Sequence, residues 1–351
     1  MKRTRRNPES LSVQVKRHST EVPKKKHTFK GNTETMVSTG STQLDLAITG
    51  GRIRGGGLPG GIYVEVFGPS GSGKTVLLCE IAGYVQRMGG DIRFDDPEAR
   101  LNKQFAQMFD FDIKNIEYAT PDTVTEVFEN IRKWKPKKQA KIHGTFTDSL
   151  AALSTDMEME KDEGDKMGQR RAKEFSEGFR KNARILKQKN YLMVCSNQVR
   201  ENQDAGKYSP KYKSTGGFAI GFYASLRLRA TNPEKIYKEI TFRGKKIKKV
   251  IGVETVFEVF KSSIWKPYRT APVTIIFDYG IDNIRDNLQY IKDYTKNTTY
   301  CVNDRKLAVS MEDAIKMVES EGLENELREE VINLWELIES KFQSNRKKKI
   351  R

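Results

Sequence analysis

Residues 68–75 read GPSGSGKT, a complete match to G-x-x-x-x-G-K-[ST]. The pattern has a physical basis. Glycines let successive backbone N–H groups wrap phosphate oxygens, and a helix opening at the end of the loop adds partial positive charge. Gly68, Pro69, Ser70, Gly71, Ser72 and Gly73 would form that cradle. Lys74 would reach the β- and γ-phosphates of a nucleoside triphosphate, and Thr75 would ligate Mg²⁺. Asp148, at the end of KIHGTFTD, is the candidate for a second acidic group near that cation. The guanine-reading pattern NKxD is absent, so ATP is favoured over GTP. A phosphate loop identifies nucleotide binding; kinases, GTPases, transporters and helicases all share it.

The loop needs a strand before it and a helix after it, and the flanks supply both. IYVEVFG is an apolar strand candidate and TVLLCEIAGYVQRM an apolar-periodic helix. Further on, DIRFD, KIHGTFTD and YLMVCSN read as strands. TVTEVFENIRKW and GQRRAKEFSEGFRKNARILKQK read as helices, as does LNKQFAQMFDF. FAIGFYASLRL looks like one more buried strand region. Between YLMVC and that region, SNQVRENQDAGKYSPKYKSTGG is too irregular for a helix or strand of its own. It is expected to be a long functional loop. SLRLRAT, KEITFRG, VIGVETVFEVFKS and APVTIIFDYG make the following region β-rich. Residues 286–343 form an α-rich segment. Alternating strands and helices followed by strands predict an α/β fold. Its central twisted sheet is mostly parallel, with an antiparallel extension, and a small α-rich domain follows. The sequence shows no internal repeat.

The chain of 351 residues carries a net charge of +17. Residues 1–36 hold ten Lys/Arg against three Glu, and residues 344–351 (SNRKKKIR) add +5. Two basic ends therefore hold 12 of the 17 surplus charges. Such arms attract polyanions by releasing counterions. Residues 1–36 are expected to be flexible. Neither a secretory leader nor a membrane-spanning run is evident, so no membrane partner is expected. Cys79, Cys195 and Cys301 are widely spaced and odd in number, which suggests a reducing compartment, hence a cytoplasmic location.

Motifs beyond the phosphate loop resemble the RecA family of homologous-recombination ATPases. The resemblance runs through VSTGSTQLDLAI, EVFGPSGSGKT, TDSLAAL, GDKMG, NARILKQKN, SNQVR and TGGFAIGFYASLRLR. It implies a RecA-like ATPase core over residues 37–285 and a small C-terminal domain over residues 286–343. It implies roles position by position. Glu98 in FDDPEAR falls on the glutamate that polarises the attacking water, with Asp95 and Asp96 as neighbouring alternatives. Asn102 and Phe105 fall on adenine-facing positions. Gln198 falls on the residue that senses the γ-phosphate. Lys261 falls on the first of two lysines that an adjacent subunit supplies to the nucleotide; the second position is Ser263, with Lys266 nearby. Phe222 falls on an aromatic of the subunit contact.

Two DNA-facing loops are implied as well. The first includes Met167, Gly168, Arg170 and Arg171, with Arg180 on the helix behind it. The second runs from Val199 and Arg200 to Thr215, Gly216 and Gly217. Its usual long apolar residues are replaced by Glu201, Asn202 and Gln203, with Tyr208 and Tyr212 later as aromatic candidates. The basic tails differ from the bacterial recombinase and suggest a phage or mobile-element version. The resemblance implies a helical homo-oligomer on single-stranded DNA that pairs it with duplex DNA, using ATP and Mg²⁺. Single-strand-binding or loader proteins are expected partners. Two alternatives remain open: a DNA-binding or mediator protein with little turnover, and a ring-forming helicase or loader.

Overall fold

The structure is a computed structural model. It describes residues 34–101, 106, 108–109, 111–156, 167–201, 212–214, 217–344 and 346. The expected flexible segment therefore lies outside the described residues up to position 33, and so does most of the expected helix at LNKQFAQMFDF.

The strands are β1 (Met36–Val37), β2 (Leu58–Pro59), β3 (Tyr63–Gly68), β4 (Ile92–Asp95), β5 (Glu117–Ala119), β6 (His143–Thr147), β7 (Tyr191–Glu201), β8 (Tyr212–Ser214), β9 (Leu226–Ala230), β10 (Glu234–Phe242), β11 (Lys245–Ser262), β12 (Thr270–Ile276), β13 (Gly280–Ile281), β14 (Cys301–Val302) and β15 (Arg305–Lys306). The helices of eight or more residues are α1 (Thr42–Thr49), α2 (Lys74–Arg87), α3 (Val124–Lys133), α4 (Met167–Lys189), α6 (Asn283–Tyr294), α7 (Met311–Glu321) and α8 (Glu324–Lys341). A shorter one, α5, spans Gly217–Tyr223.

One large sheet runs β13-β12-β11-β9-β3-β7-β6-β4-β5. Its stretch from β9 to β5 is parallel, and β11, β12 and β13 extend it antiparallel. All six residues of β3 are buried, as expected of a central parallel strand covered on both faces. Alternation sorts the two faces. Val64, Val66, Leu192 and Val194 pack with Leu77, Leu78, Ile81 and Val85 of α2. Tyr63, Met193 and Cys195 pack on the other side with α3 and α4. In α3, Val124, Val127, Phe128 and Ile131 are buried at helical spacing. A reciprocal capping box between Thr123 and Glu126 starts that helix and contributes about 1 kcal/mol.

Two expectations need correction. The stretch after YLMVC is not simply a loop. β7 continues through Arg200 to Glu201 and pairs with β8, Val199 opposite Ser214 and Glu201 opposite Tyr212. Ladder hydrogen bonds, not apolar alternation, hold this hairpin. The apolar run FAIGFYASLRL is helix α5 followed by strand β9. A short apolar run does not by itself distinguish the two. The C-terminal helices share a core with Leu46 of α1, and Arg54 bridges Glu329 and Glu336 at 2.6 and 2.9 Å.

Candidate nucleotide site

The phosphate loop leaves the end of β3 and opens α2. Gly71 and Gly73 sit at φ +73° and +80°, a region that side chains disfavour. A Cβ on Gly73 would also meet Ile275 Cδ1 at 2.2 Å, so that side chain would have to move to admit one. No side chain caps α2, which leaves its first N–H groups directed at the loop. Lys74 Nζ donates to the carbonyls of Gly68 at 3.1 Å and Pro69 at 2.6 Å. Burial lowers the Lys74 pKa, and the carboxylates of Asp148 and Glu98 oppose that shift.

The acidic side of the cavity comes from the carboxyl ends of β4 and β6. Asp148 follows β6 and accepts hydrogen bonds from Ser196 of β7 and from Thr75. Burial pushes its pKa up, those two bonds pull it down, and the charges of Glu98 and Asp96 raise it further. Glu98 accepts from Ser149 Oγ at 2.6 Å and pairs with Arg100 at 2.7 Å. The alternatives to Glu98 are engaged elsewhere. Asp95 is held by Arg93 and Asn130, and Asp96 by the Leu101 amide and the Tyr118 hydroxyl. Glu98 lines the cavity of about 270 Å³ over the phosphate loop, whereas Asp95 and Asp96 do not. The Thr75 hydroxyl and the Asp148 carboxylate are adjacent oxygen donors in an acid-crowded, largely buried setting. That donor set fits a hard divalent cation such as Mg²⁺.

Gln198 is aligned with Gly68 in the β3–β7 pairing, which brings it to the cavity wall. Its backbone N–H donates to Asn197 Oδ1 at 2.9 Å. Asn197 Nδ2 donates in turn to Glu65 at 2.9 Å, and Arg227 Nε donates to the same carboxylate at 2.5 Å. Sequence reasoning missed Ser149, Ser196 and this Asn197–Glu65–Arg227 group. The only signal was an acid in the middle of an otherwise apolar strand, YVEVF.

Other expected residues lie apart from the cavity. Lys261 of β11 donates to the carbonyls of Gly221 at 2.7 Å and Phe222 at 2.9 Å, at the end of α5. Burial and the charge of Arg227 lower its pKa, with Glu65 opposing. Phe222 is 75% exposed, so it and Lys261 share one surface. Ser263 is tied to the Ser225 carbonyl through both its N–H and its hydroxyl. Arg170 and Arg180 of α4 are exposed, whereas Arg171 donates to the carbonyls of Leu150 and Ala151. Asn102, Phe105, Tyr208, Thr215 and Gly216 lie outside the described residues. For Met167, Gly168, Arg200, Tyr212 and Gly217 the backbone alone is described: the first two open α4, and Gly217 opens α5.

A glycine-wrapped phosphate loop between a buried parallel strand and a helix, with acids at the neighbouring strand ends, defines a P-loop nucleotide-binding fold. Comparison with known proteins narrows the class. The profile described as the RecA N-terminal domain matches residues 21–282. Protein RecA of Clostridioides difficile is 31% identical over 314 residues, covering 88% of this chain and 86% of that protein. Protein RecA of Crocosphaera subtropica is 30% identical over 304 residues, 84% and 82% of the two chains. Protein RecA of Delftia acidovorans is 32% identical over 246 residues, 70% of this chain and 63% of that protein, less than two thirds of its length. The chain belongs to the RecA family. Among the described residues, no helix is long and apolar enough to cross a membrane.

Proposed function

We propose that this protein is an ATP-dependent DNA recombinase. It polymerises on single-stranded DNA, pairs that strand with a homologous duplex and exchanges strands. One observation carries the reading. A single strand, β7, runs from Ser196 and Gln198 at the nucleotide cavity to Glu201 in the β7–β8 hairpin. A change at the phosphate is thereby passed along the backbone to the hairpin proposed to face DNA.

The residues divide the work. Lys74 and the loop amides bind the phosphates and neutralise their charge. Glu98, oriented by Ser149, holds a water and takes its proton during attack on the γ-phosphate. Gln198 presents an amide able to donate and accept, so it responds to a phosphoryl oxygen. Thr75 and Asp148 would hold Mg²⁺, which supplies charge neutralisation at the phosphate oxygens. Lys261, half-buried beside the exposed Phe222, would serve the nucleotide of an adjacent copy. Arg170 and Arg180 supply sequence-independent phosphate contacts.

Electron microscopy with single-stranded DNA and a non-hydrolysable ATP analogue tests assembly, and joint-molecule formation tests exchange. Helical filaments with joint molecules are the expected result. Closed rings would refute the filament, and filaments without joint molecules would remove the exchange step. A second reading, a DNA-binding or mediator protein with little turnover, is favoured by one feature. Ser263 occupies the second lysine position and is bonded back to Ser225. Filaments that neither hydrolyse ATP nor form joint molecules would establish it.

A further inference from the structure

Between residues 234 and 250, β10 and the start of β11 carry seven Lys/Arg against two Glu, a net of +5. The two chain ends hold +12 of the total +17. The rest of the chain therefore sums to zero, and the whole surplus outside the two ends falls within residues 234–250. β12 joins β11 from Gly252 onward and the Phe277 N–H donates to the Ile251 carbonyl, so residues 245–250 pair with β10 alone. That length projects roughly 20 Å at the usual rise of an antiparallel strand. A two-residue turn closes it, with Arg243 at φ 49° and Gly244 at φ 76°.

The register sorts its side chains. On one face, Lys248 lies 4.5 Å over the Tyr237 ring and Lys246 meets Glu239 at 3.1 Å. On the other face the opposed pairs are Lys238 with Lys249, Ile240 with Ile247, and Phe242 with Lys245. Lys238 reaches Glu312 at 3.1 Å; among the described residues Lys245 and Lys249 have no acidic partner. Ile240 and Phe242 are 51% and 57% exposed. Two lysines directly opposite each other cost stability. Lysines on an exposed edge strand also block unwanted strand pairing. Edge protection, however, needs no apolar residues laid between the cations.

We propose that this second face of the ribbon is a binding site for double-stranded DNA. A two-stranded β-ribbon fits the major groove, about 12 Å wide. Lys245 and Lys249 of β11 meet phosphates, and Ile240 and Phe242 beside them on β10 contact base edges and methyl groups. The ribbon also stands close to the nucleotide. β11 runs antiparallel to β9, and its Phe257 faces Ala230 at the carboxyl end of the parallel strands. The arm therefore leaves the sheet at the phosphate-loop end, and Val253 at its root lines the nucleotide cavity. Duplex binding here requires neither nucleotide nor assembly, so it is independent of the filament reading.

The test is anisotropy of a labelled DNA duplex with the full chain, without nucleotide, across a salt series. K245E/K249E is compared with K135E/K137E, an equal charge change at two other exposed lysines. We expect the ribbon variant to lose about tenfold or more in affinity and its salt slope to fall by about 2. The control should change affinity less than about threefold. Retained affinity in K245E/K249E would leave edge protection as the ribbon's role and overturn the proposal. Equal losses in both variants, or a loss confined to anionic lipid vesicles, would overturn it as well. The neutral K245Q/K249Q carries the same comparison if charge reversal impairs folding, with nucleotide binding as the check on the fold.

Discussion

Ser149 donates to Glu98 at 2.6 Å, joining the segment after β4 to the residue that follows Asp148. The bond holds Oε1 of the carboxylate, while Oε2 pairs with the exposed Arg100 at 2.7 Å. Removing the carboxylate and removing its hydroxyl donor should differ in size. Glu98→Gln is expected to lower DNA-stimulated ATP turnover by about 10²–10⁴-fold through loss of the general base. Ser149→Ala should lower it by about 10- to 100-fold through misplacement. Both should leave ATP affinity nearly unchanged. Normal turnover in Glu98→Gln would return the role to Asp95 or Asp96.

The pair Glu65–Arg227 makes a stability prediction. Glu65 is fully buried and its carboxylate is shared by Arg227 and Asn197. Arg227 also stacks 4.4 Å over the Phe67 ring, so it cannot simply move to water. Glu65→Ala should cost about 3–5 kcal/mol by removing the buried carboxylate that Arg227 and Asn197 share. The double change Glu65→Met with Arg227→Met should recover most of that loss. Denaturant titration measures both. A loss below about 1 kcal/mol in Glu65→Ala would show that water replaces the carboxylate.

Why some of this was legible and some not follows from how each feature is encoded. GPSGSGKT prescribes its own backbone, so the strand before it and helix after it could be placed from sequence. The strand before Asp148 was legible despite its polar residues. His143 accepts from the Asp91 N–H at 3.0 Å, and Lys141 lies before the strand begins. The β7–β8 hairpin was not legible, because its partner strand lies beyond a polar stretch with no alternation. Glu65 and Arg227 are 162 positions apart. Nothing local in the sequence announces that contact.

Lys261 should separate binding from turnover. Its ammonium caps the carbonyls ending α5 and lies outside the nucleotide cavity of its own chain. Lys261→Met should therefore leave the ATP affinity of the unassembled protein within about twofold of normal. Turnover on single-stranded DNA should fall by about 10³-fold or more if the lysine serves a neighbour's nucleotide. Lys74→Ala, by contrast, should abolish ATP binding itself. Equal ATPase rates for Lys261→Met and the unaltered protein on DNA would eliminate the trans role.

Asp286 should impose a pH dependence on stability. It is 5% exposed, and burial raises its pKa to about 7, although its Oδ2 accepts from the Thr274 N–H at 3.0 Å. The folded carboxyl thus holds its proton above the unfolded value of about 4. Its contribution is fully present below that lower value and is lost as pH rises toward 7. Glu80, raised to about 7, and Asp45, raised to about 6, act in the same direction. Melting midpoints should therefore fall from pH 5 to pH 8. Asp286→Asn cannot ionise and keeps an oxygen for the Thr274 amide. At pH 8 it should be more stable than the unaltered protein by up to about 4 kcal/mol. The gap should narrow steadily toward pH 5, and a constant gap across that range would show that Asp286 is not the titrating group.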